Sequence, residues 1–262
     1  MKKIMCILLS LCLLLAAAAF AEGTDMLARI QEKGELVVAT EGAWRPWTYH
    51  DEDNNLVGYD VEVAQLIAEK LGVTANFQET PWEGILAGLE NRFDIAANGV
   101  DVTPERAEAY DFSIPYGYNR TALVVRGDNE DINSFEDLAG KSTCNSIGST
   151  YMELAESYGA EAVGVSTLDL TIENVLAGRA DATLNAELSI YDYLSEHPDA
   201  NIKIVARTEE ANAVAIPVRK AEIEDNVRFL EAMNAAIEEL RASGELTRIS
   251  EKYFGSDISS IS

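Results

Sequence analysis

Leu56-Val57-Gly58-Tyr59-Asp60-Val61-Glu62-Val63-Ala64-Gln65-Leu66-Ile67-Ala68-Glu69-Lys70-Leu71-Gly72-Val73-Thr74-Ala75-Asn76-Phe77 carries two hydrophobic periods in immediate succession. Val63, Ile67 and Leu71 recur at i, i+4 and i+8, which places them on one face of a helix, and Val73 to Phe77 then reads as a strand. Upstream lies another β-branched run, Leu36-Val37-Val38-Ala39, and the polar turn Asp51-Glu52-Asp53-Asn54-Asn55 between extended segments. Downstream, strands are expected at Phe93 to Ala97, Ala122 to Val125, Ala162 to Val165, Asp181 to Leu184, Ile202 to Val205 and Ala213 to Ile216. Helical patterns fill the gaps, as at Met152 to Tyr158 and Leu170 to Ala177. The longest spans Ile223 to Arg241, with Ile223, Val227, Leu230, Ile237 and Leu240 on one face and Ser243-Gly244 as its stop. Strands alternating with helices specify an α/β architecture.

The chain opens on Lys2 and Lys3, an apolar stretch from Ile4 to Ala18, and Ala19-Phe20-Ala21. This is the pattern of a cleavable export signal, so residues 1–21 are read as a signal peptide and the mature protein as secreted, to a periplasm or the outer face of the envelope. Cys12 makes a poor lipidated residue, being preceded by Leu11 and followed by apolar residues. Cleavage removes Cys6 and Cys12 and leaves Cys144 alone, a small buried residue with no assigned role, so a hydrophobic core and not a disulfide must hold the domain. The remaining length, about 240 residues, suits one large unit or two smaller ones. With 20 Lys+Arg against 45 Asp+Glu the formal charge is −25, and −27 without Lys2 and Lys3. Such a surface repels nucleic acid and anionic lipid. His50 and His197 lie far apart in sequence, and with one mature cysteine there is no zinc-type spacing; no metal and no cofactor is expected.

Leu56 to Glu62 is similar to the segment that opens a first-lobe helix in the polar-amino-acid family of extracellular solute-binding proteins of ABC importers. The resemblance extends through Thr40 to Trp47, Phe93-Asp94-Ile95, Val102 to Arg106 and Tyr110 to Tyr116. It resumes at Leu138 to Lys141, Ala177 to Ala182, Gly244-Glu245-Leu246 and Lys252 to Gly255, in the family's order over nearly the whole mature chain. It implies a two-lobed periplasmic-binding-protein fold of α/β class, with two crossover strands and a ligand cleft between the lobes. On that template lobe 1 takes residues 24–116 plus 213–262 and lobe 2 takes residues 119–208.

A free amino acid brings a carboxylate and an ammonium, and burying either without a partner is costly. Arg106 matches the family's carboxylate-binding arginine, and its fork can bond both oxygens. Gly148-Ser149-Thr150 precedes a helical pattern, so the amides and hydroxyls of Ser149 and Thr150 can add a helix-terminus anion site, cap the helix, or both. Trp44 and Trp82 match aromatic walls, and Glu41 a side-chain contact. Asn98-Gly99-Val100-Asp101 corresponds to the first-lobe ligand loop, where Gly99 permits close backbone approach. Asn98, the Trp82 to Leu89 segment and Asn185 look most like the cystine-binding branch. Two departures stand out: Ala186 occupies the position of the aspartate that meets the ligand ammonium, and Asp101 stands where many members carry Ser or Thr. Together they suggest that the ammonium partner has moved to Asp101; Glu187, or a ligand other than an ordinary α-amino acid, is the alternative.

The function expected is capture of a polar amino acid, cystine or a relative, by a monomer that delivers it to ABC importer membrane subunits. Two alternatives stand beside it: a binder of basic amino acids, and a secreted dehydratase of the cyclohexadienyl type on the same fold, which needs a general acid or base such as Glu41, Asp101 or Glu187. No nucleophile and base with recognisable spacing is present in the sequence, so no catalytic residue is assigned and the protein is read as no enzyme.

Overall fold

The computed structural model describes residues 25–261; the expected signal peptide lies outside the described residues. Helix α1 (Met26–Lys33) is capped by Asp25 and released by left-handed Gly34, which turns the chain into β1 (Glu35–Thr40). A small antiparallel meander follows, β2 (Ala43–Trp44), β3 (Thr48–His50) and β4 (Leu56–Val57), then α2 (Tyr59–Lys70), β5 (Thr74–Glu79), α3 (Trp82–Gly88), β6 (Ile95–Ala96), α4 (Pro104–Ala109) and β7 (Tyr110–Phe112). In the first sheet β1 lies between parallel partners β5 and β6. Its side chains Leu36 and Val38 join Val63, Ile67 and Leu71 of the α2 face in one buried cluster. Full burial of each such side chain stabilises by about 1.5–3 kcal/mol.

The chain leaves through β8 (Gly117–Asn119) and builds a second sheet from β9 (Thr121–Arg126), β10 (Ser142–Ser146), β11 (Glu161–Val165), β12 (Ala182–Ala186) and β13 (Ile202–Arg207), in the order β11-β10-β12-β9-β13. Its helices are α5 (Thr150–Ser157), α6 (Leu168–Leu176) and α7 (Glu187–Glu196). Strand β9 runs antiparallel to both neighbours, as a strand that enters from outside the βα succession must. Return is through β14 (Asn212–Val214), which pairs antiparallel with β8, and β15 (Pro217–Arg219), which pairs with β7. Helices α8 (Val227–Ala242) and α9 (Glu245–Phe254) then pack back on α2. The fold is thus a two-lobed α/β structure, its first lobe made from two separated stretches of chain.

One expected helix boundary is corrected. Instead of running from Ile223, α8 begins at Val227, and its buried face is Phe229, Met233, Ala236, Ile237 and Leu240; Ile223 and Val227 are 58% and 53% exposed. The preceding residues are held in turns by side chains: Asp111 accepts the Ala221 N–H at 3.0 Å and the Asn226 amide at 2.7 Å, while Arg29 and Arg219 engage Glu224. Hydrogen bonds from distant residues thus override a helical period at that end.

Candidate functional site

The site begins with Asp60, in the first turn of α2. Its carboxylate is fully buried, accepts the Gly99 N–H and the Tyr116 hydroxyl, and is pushed by burial up to about 7, with both donors pulling it back. This ties the loop after β6 to the start of α2. Gly99 sits there at φ 55°, and a Cβ would come within 2.6 Å of the Trp44 ring, so only glycine fits. Asn98 faces back toward β1: its Oδ1 accepts the Glu41 N–H at 2.8 Å and its amide lies 3.5 Å from Glu41 Oε2. Glu41, so placed at the end of β1, is pushed by burial up to about 7, opposed by Asn98 and helped by the charge of Glu83.

Trp44 is stacked on Trp47 at 5.4 Å and meets the Tyr151 ring edge-on at 6.5 Å. Its indole N–H crosses to the second lobe, donating to Asn185 Oδ1 at 3.1 Å. Arg106 is carried by α4, where Thr103 caps the Arg106 N–H at 3.1 Å and Pro104 takes the first helical position. Its side chain is nine-tenths buried, donates to the Asp101 carbonyl at 3.2 Å and holds its guanidinium carbon 5.3 Å from the Trp82 ring. No carboxylate pairs with it among the described residues.

Asp101 is 4% exposed and meets the second lobe directly: Oδ2 accepts the Thr150 hydroxyl at 2.6 Å and faces the Asn212 amide at 3.4 Å. Its Oδ1 is buried with no partner among the described residues. Burial pushes its carboxyl up, and Thr150, Arg106 and Asn212 pull it down. The expected anion site on α5 needs correcting in one respect. Both hydroxyls are already engaged, Ser149 as cap of Met152 N–H and donor to the Ser146 carbonyl, Thr150 as donor to Asp101. Only the first-turn amides of Thr150 and Tyr151, which have no intrahelical partner, remain for an anion.

All ten residues singled out in the sequence line one cavity between the lobes: Glu41, Trp44, Trp82, Asn98, Gly99, Asp101, Arg106, Ser149, Thr150 and Asn185. Ser146, Tyr151 and Leu168 complete the lining, with about 420 Å³ of empty space inside it, mouth included. Tyr151 directly follows the Gly148-Ser149-Thr150 signal, whereas Ser146 and Leu168 carry no local mark. Neither Ala186 nor Glu187 lines it. Glu187 turns away to Arg207 at 2.6 Å and to the Tyr191 hydroxyl at 3.2 Å. Among the described residues there is no cluster of three or more His, Cys, Asp or Glu able to hold a metal, and no helix long and apolar enough to cross a membrane.

Two lobes closed over a cavity lined by an arginine with no carboxylate partner and an aspartate with one unpartnered oxygen, among the described residues, describe a bilobal solute-binding protein. The chain belongs to the bacterial extracellular solute-binding proteins, family 3, whose profile matches residues 36–256. It is 39% identical over 241 residues, 91% of this chain and 88% of the relative, to the L-cystine-binding protein TcyA of Bacillus subtilis. Among solved structures, an ancestral arginine-binding protein bound to glutamine superposes with a TM-score of 0.79 at 34% identity, covering 85% of this chain and 99% of that one. The L-cystine solute receptor of Neisseria gonorrhoeae, in its unliganded open conformation, is 41% identical over 90% of this chain and 99% of its own, yet superposes with a TM-score of only 0.60.

Proposed function

We propose that this protein captures a polar amino acid, cystine or a relative, and presents it to the membrane subunits of an ABC importer, as a secreted monomer that does not transform its ligand. The observation that carries the reading is a guanidinium and a carboxylate, Arg106 and Asp101, that line one cavity and form no salt bridge with each other. Buried charges are ordinarily paired, so an arginine without a carboxylate and a buried carboxylate oxygen without a donor, both on residues lining one cavity, are arranged for a zwitterion. Arg106, with the Thr150 and Tyr151 amides, takes the carboxylate. Asp101 Oδ1 takes the ammonium, in place of the acid that Ala186 cannot supply. The indoles of Trp44 and Trp82 wall the remainder. The lower superposition on the open cystine receptor than on a liganded relative supports a closed, ligand-holding arrangement of these lobes. Cystine is favoured by the two cystine-binding relatives; mass spectrometry of the small molecule released on denaturing the purified protein tests it, and recovery of no amino acid would defeat the reading.

A basic amino acid is the second reading, favoured by Glu41 with Asp101 and by the likeness to an arginine-binding protein. A cationic side chain beside Glu41 would drive off its proton, whereas a neutral one would leave the proton in place. Titration calorimetry at pH 7 in two buffers of different ionisation enthalpy separates them: proton release on binding L-arginine, and none on binding L-cystine. If neither amino acid binds while candidate prearomatic acids are turned over, a dehydratase with Glu41 as its general acid replaces both.

A further inference from the structure

Trp44 and Arg45 are adjacent in the chain and reach the second lobe at two separate places. Trp44 does so inside the cavity, through Asn185. Arg45 does so outside it. Its Nε lies 3.1 Å from Asp192 Oδ2 and a terminal nitrogen lies 3.6 Å from Glu196 Oε1, both on α7. The guanidinium also rests 4.1 Å above the Tyr49 ring of β3, within its own lobe.

These two contacts differ in what they need. The Tyr49 contact lies within one lobe and so does not require the lobes to be together. The bond to Asp192 exists only while they are together, because β2 and α7 belong to opposite lobes. Asp192 has only one-fifth of its side chain exposed, and burial pushes its carboxyl up while Arg45 pulls it down. Opening therefore breaks this ion pair.

We propose that Arg45 is the clasp of the closed cleft: without touching ligand, it holds α7 against the turn between β2 and β3 through Asp192 and sets how slowly a captured molecule escapes. The proposal rests on the reading that ligand is held between closed lobes. Ligand enters the open form, where the clasp is unmade, and leaves from the closed form, where it is made. Its loss consequently raises the off-rate and leaves the on-rate alone. A half-exposed pair of this kind is worth only a few-fold.

Stopped-flow tryptophan fluorescence with L-cystine and with L-arginine, each followed separately, tests this on the parent, Arg45→Gln, Asp192→Asn and the double variant. Each single variant is expected to raise the off-rate about two- to fivefold with an unchanged on-rate. The double variant should exceed neither, since both substitutions break one contact. The two singles change net charge in opposite directions, so a shared rise in off-rate cannot come from long-range attraction of ligand. An off-rate equal to the parent's in either single, or effects that add in the double, overturns the clasp alone. Failure of the parent to bind either amino acid overturns the functional reading and the clasp with it.

Discussion

Arg106 is buried between the closed lobes, and no carboxylate answers its guanidinium among the described residues. Its removal is therefore expected to affect binding and stability in opposite senses. Truncating one partner of a buried charge pair costs about 2–5 kcal/mol, so Arg106→Ala should weaken binding at least ~30-fold. The melting temperature of the unliganded variant should hold or rise, and a clear fall would mean that the arginine serves the fold. Asp101→Asn keeps the shape and an acceptor for the Thr150 hydroxyl but removes the charge, and calorimetry should show a comparable loss of affinity. Binding as tight as the parent's would rule out Asp101 as the ammonium partner. Glu41 predicts a pH dependence. Its carboxyl titrates near 4.5 when solvated and at about 7 when folded, so between those values the unfolded chain releases a proton that the folded one keeps. Stability then falls as pH rises across that window, by at most ~1.4 kcal/mol per pH unit from this group. Melting curves should find unliganded Glu41→Gln close to the parent at pH 4 and more stable than it at pH 8; parallel curves for the two proteins would remove Glu41 as their source.

Elements differ in whether they carry the site or only the fold. Helix α4 is short and displays Arg106 because Thr103 caps its first turn. Thr103→Ala should cost about 1 kcal/mol of stability and also weaken binding, since the capped N–H is that of Arg106 itself. Helix α2 is the contrasting case. Ile67→Ala, in its buried face, should cost about 2–5 kcal/mol in denaturant unfolding while the dissociation constant stays put. A large change in affinity would mean that the core and the cleft are coupled. Elements with a strong period were legible in the sequence: β1, α2, β9, β11, β13 and α6 lie where the pattern puts them, within a residue or two. Strands β2, β3, β4, β7, β8 and β15 have two or three residues each, too few for a period to register. Strands β2 to β4 form by pairing with one another, and β7, β8 and β15 form because a distant strand supplies hydrogen bonds.

At the scale of the molecule, the lobes meet through few direct bonds, chiefly Asp101 to Thr150, Trp44 to Asn185 and Arg45 to Asp192. So sparse an interface cannot hold the lobes together permanently, and rotation about the paired strands β8 and β14 is the expected motion. Small-angle scattering should show the radius of gyration fall when saturating amino acid is added. An unchanged radius would count against closure on ligand. In a thermal-shift screen L-cystine is expected to stabilise more than L-lysine or L-arginine does; at about 100 times its dissociation constant it should add roughly 2.7 kcal/mol to the protein alone. Stabilisation by basic amino acids alone would move the assignment to the Glu41 reading.

The sequence by itself determined the α/β class, through periods of 3.6 and 2 that each segment carries locally, and it named ten residues of the cavity through blocks in a family's order. Tertiary structure alone decided how those residues are used. The sequence leaves the Thr150 hydroxyl open between an anion and the helix; it bonds Asp101, because the meeting of two lobes sets a hydroxyl and a carboxylate 2.6 Å apart across 49 residues of chain. Glu187 was an open alternative to Asp101, and its distance from the cavity follows from Arg207, on a strand that no local pattern links to it. Arg45 carries no local mark of an interlobe contact. Its partner lies 147 positions away, and a charge in one lobe acquires meaning only from what the other lobe brings to it.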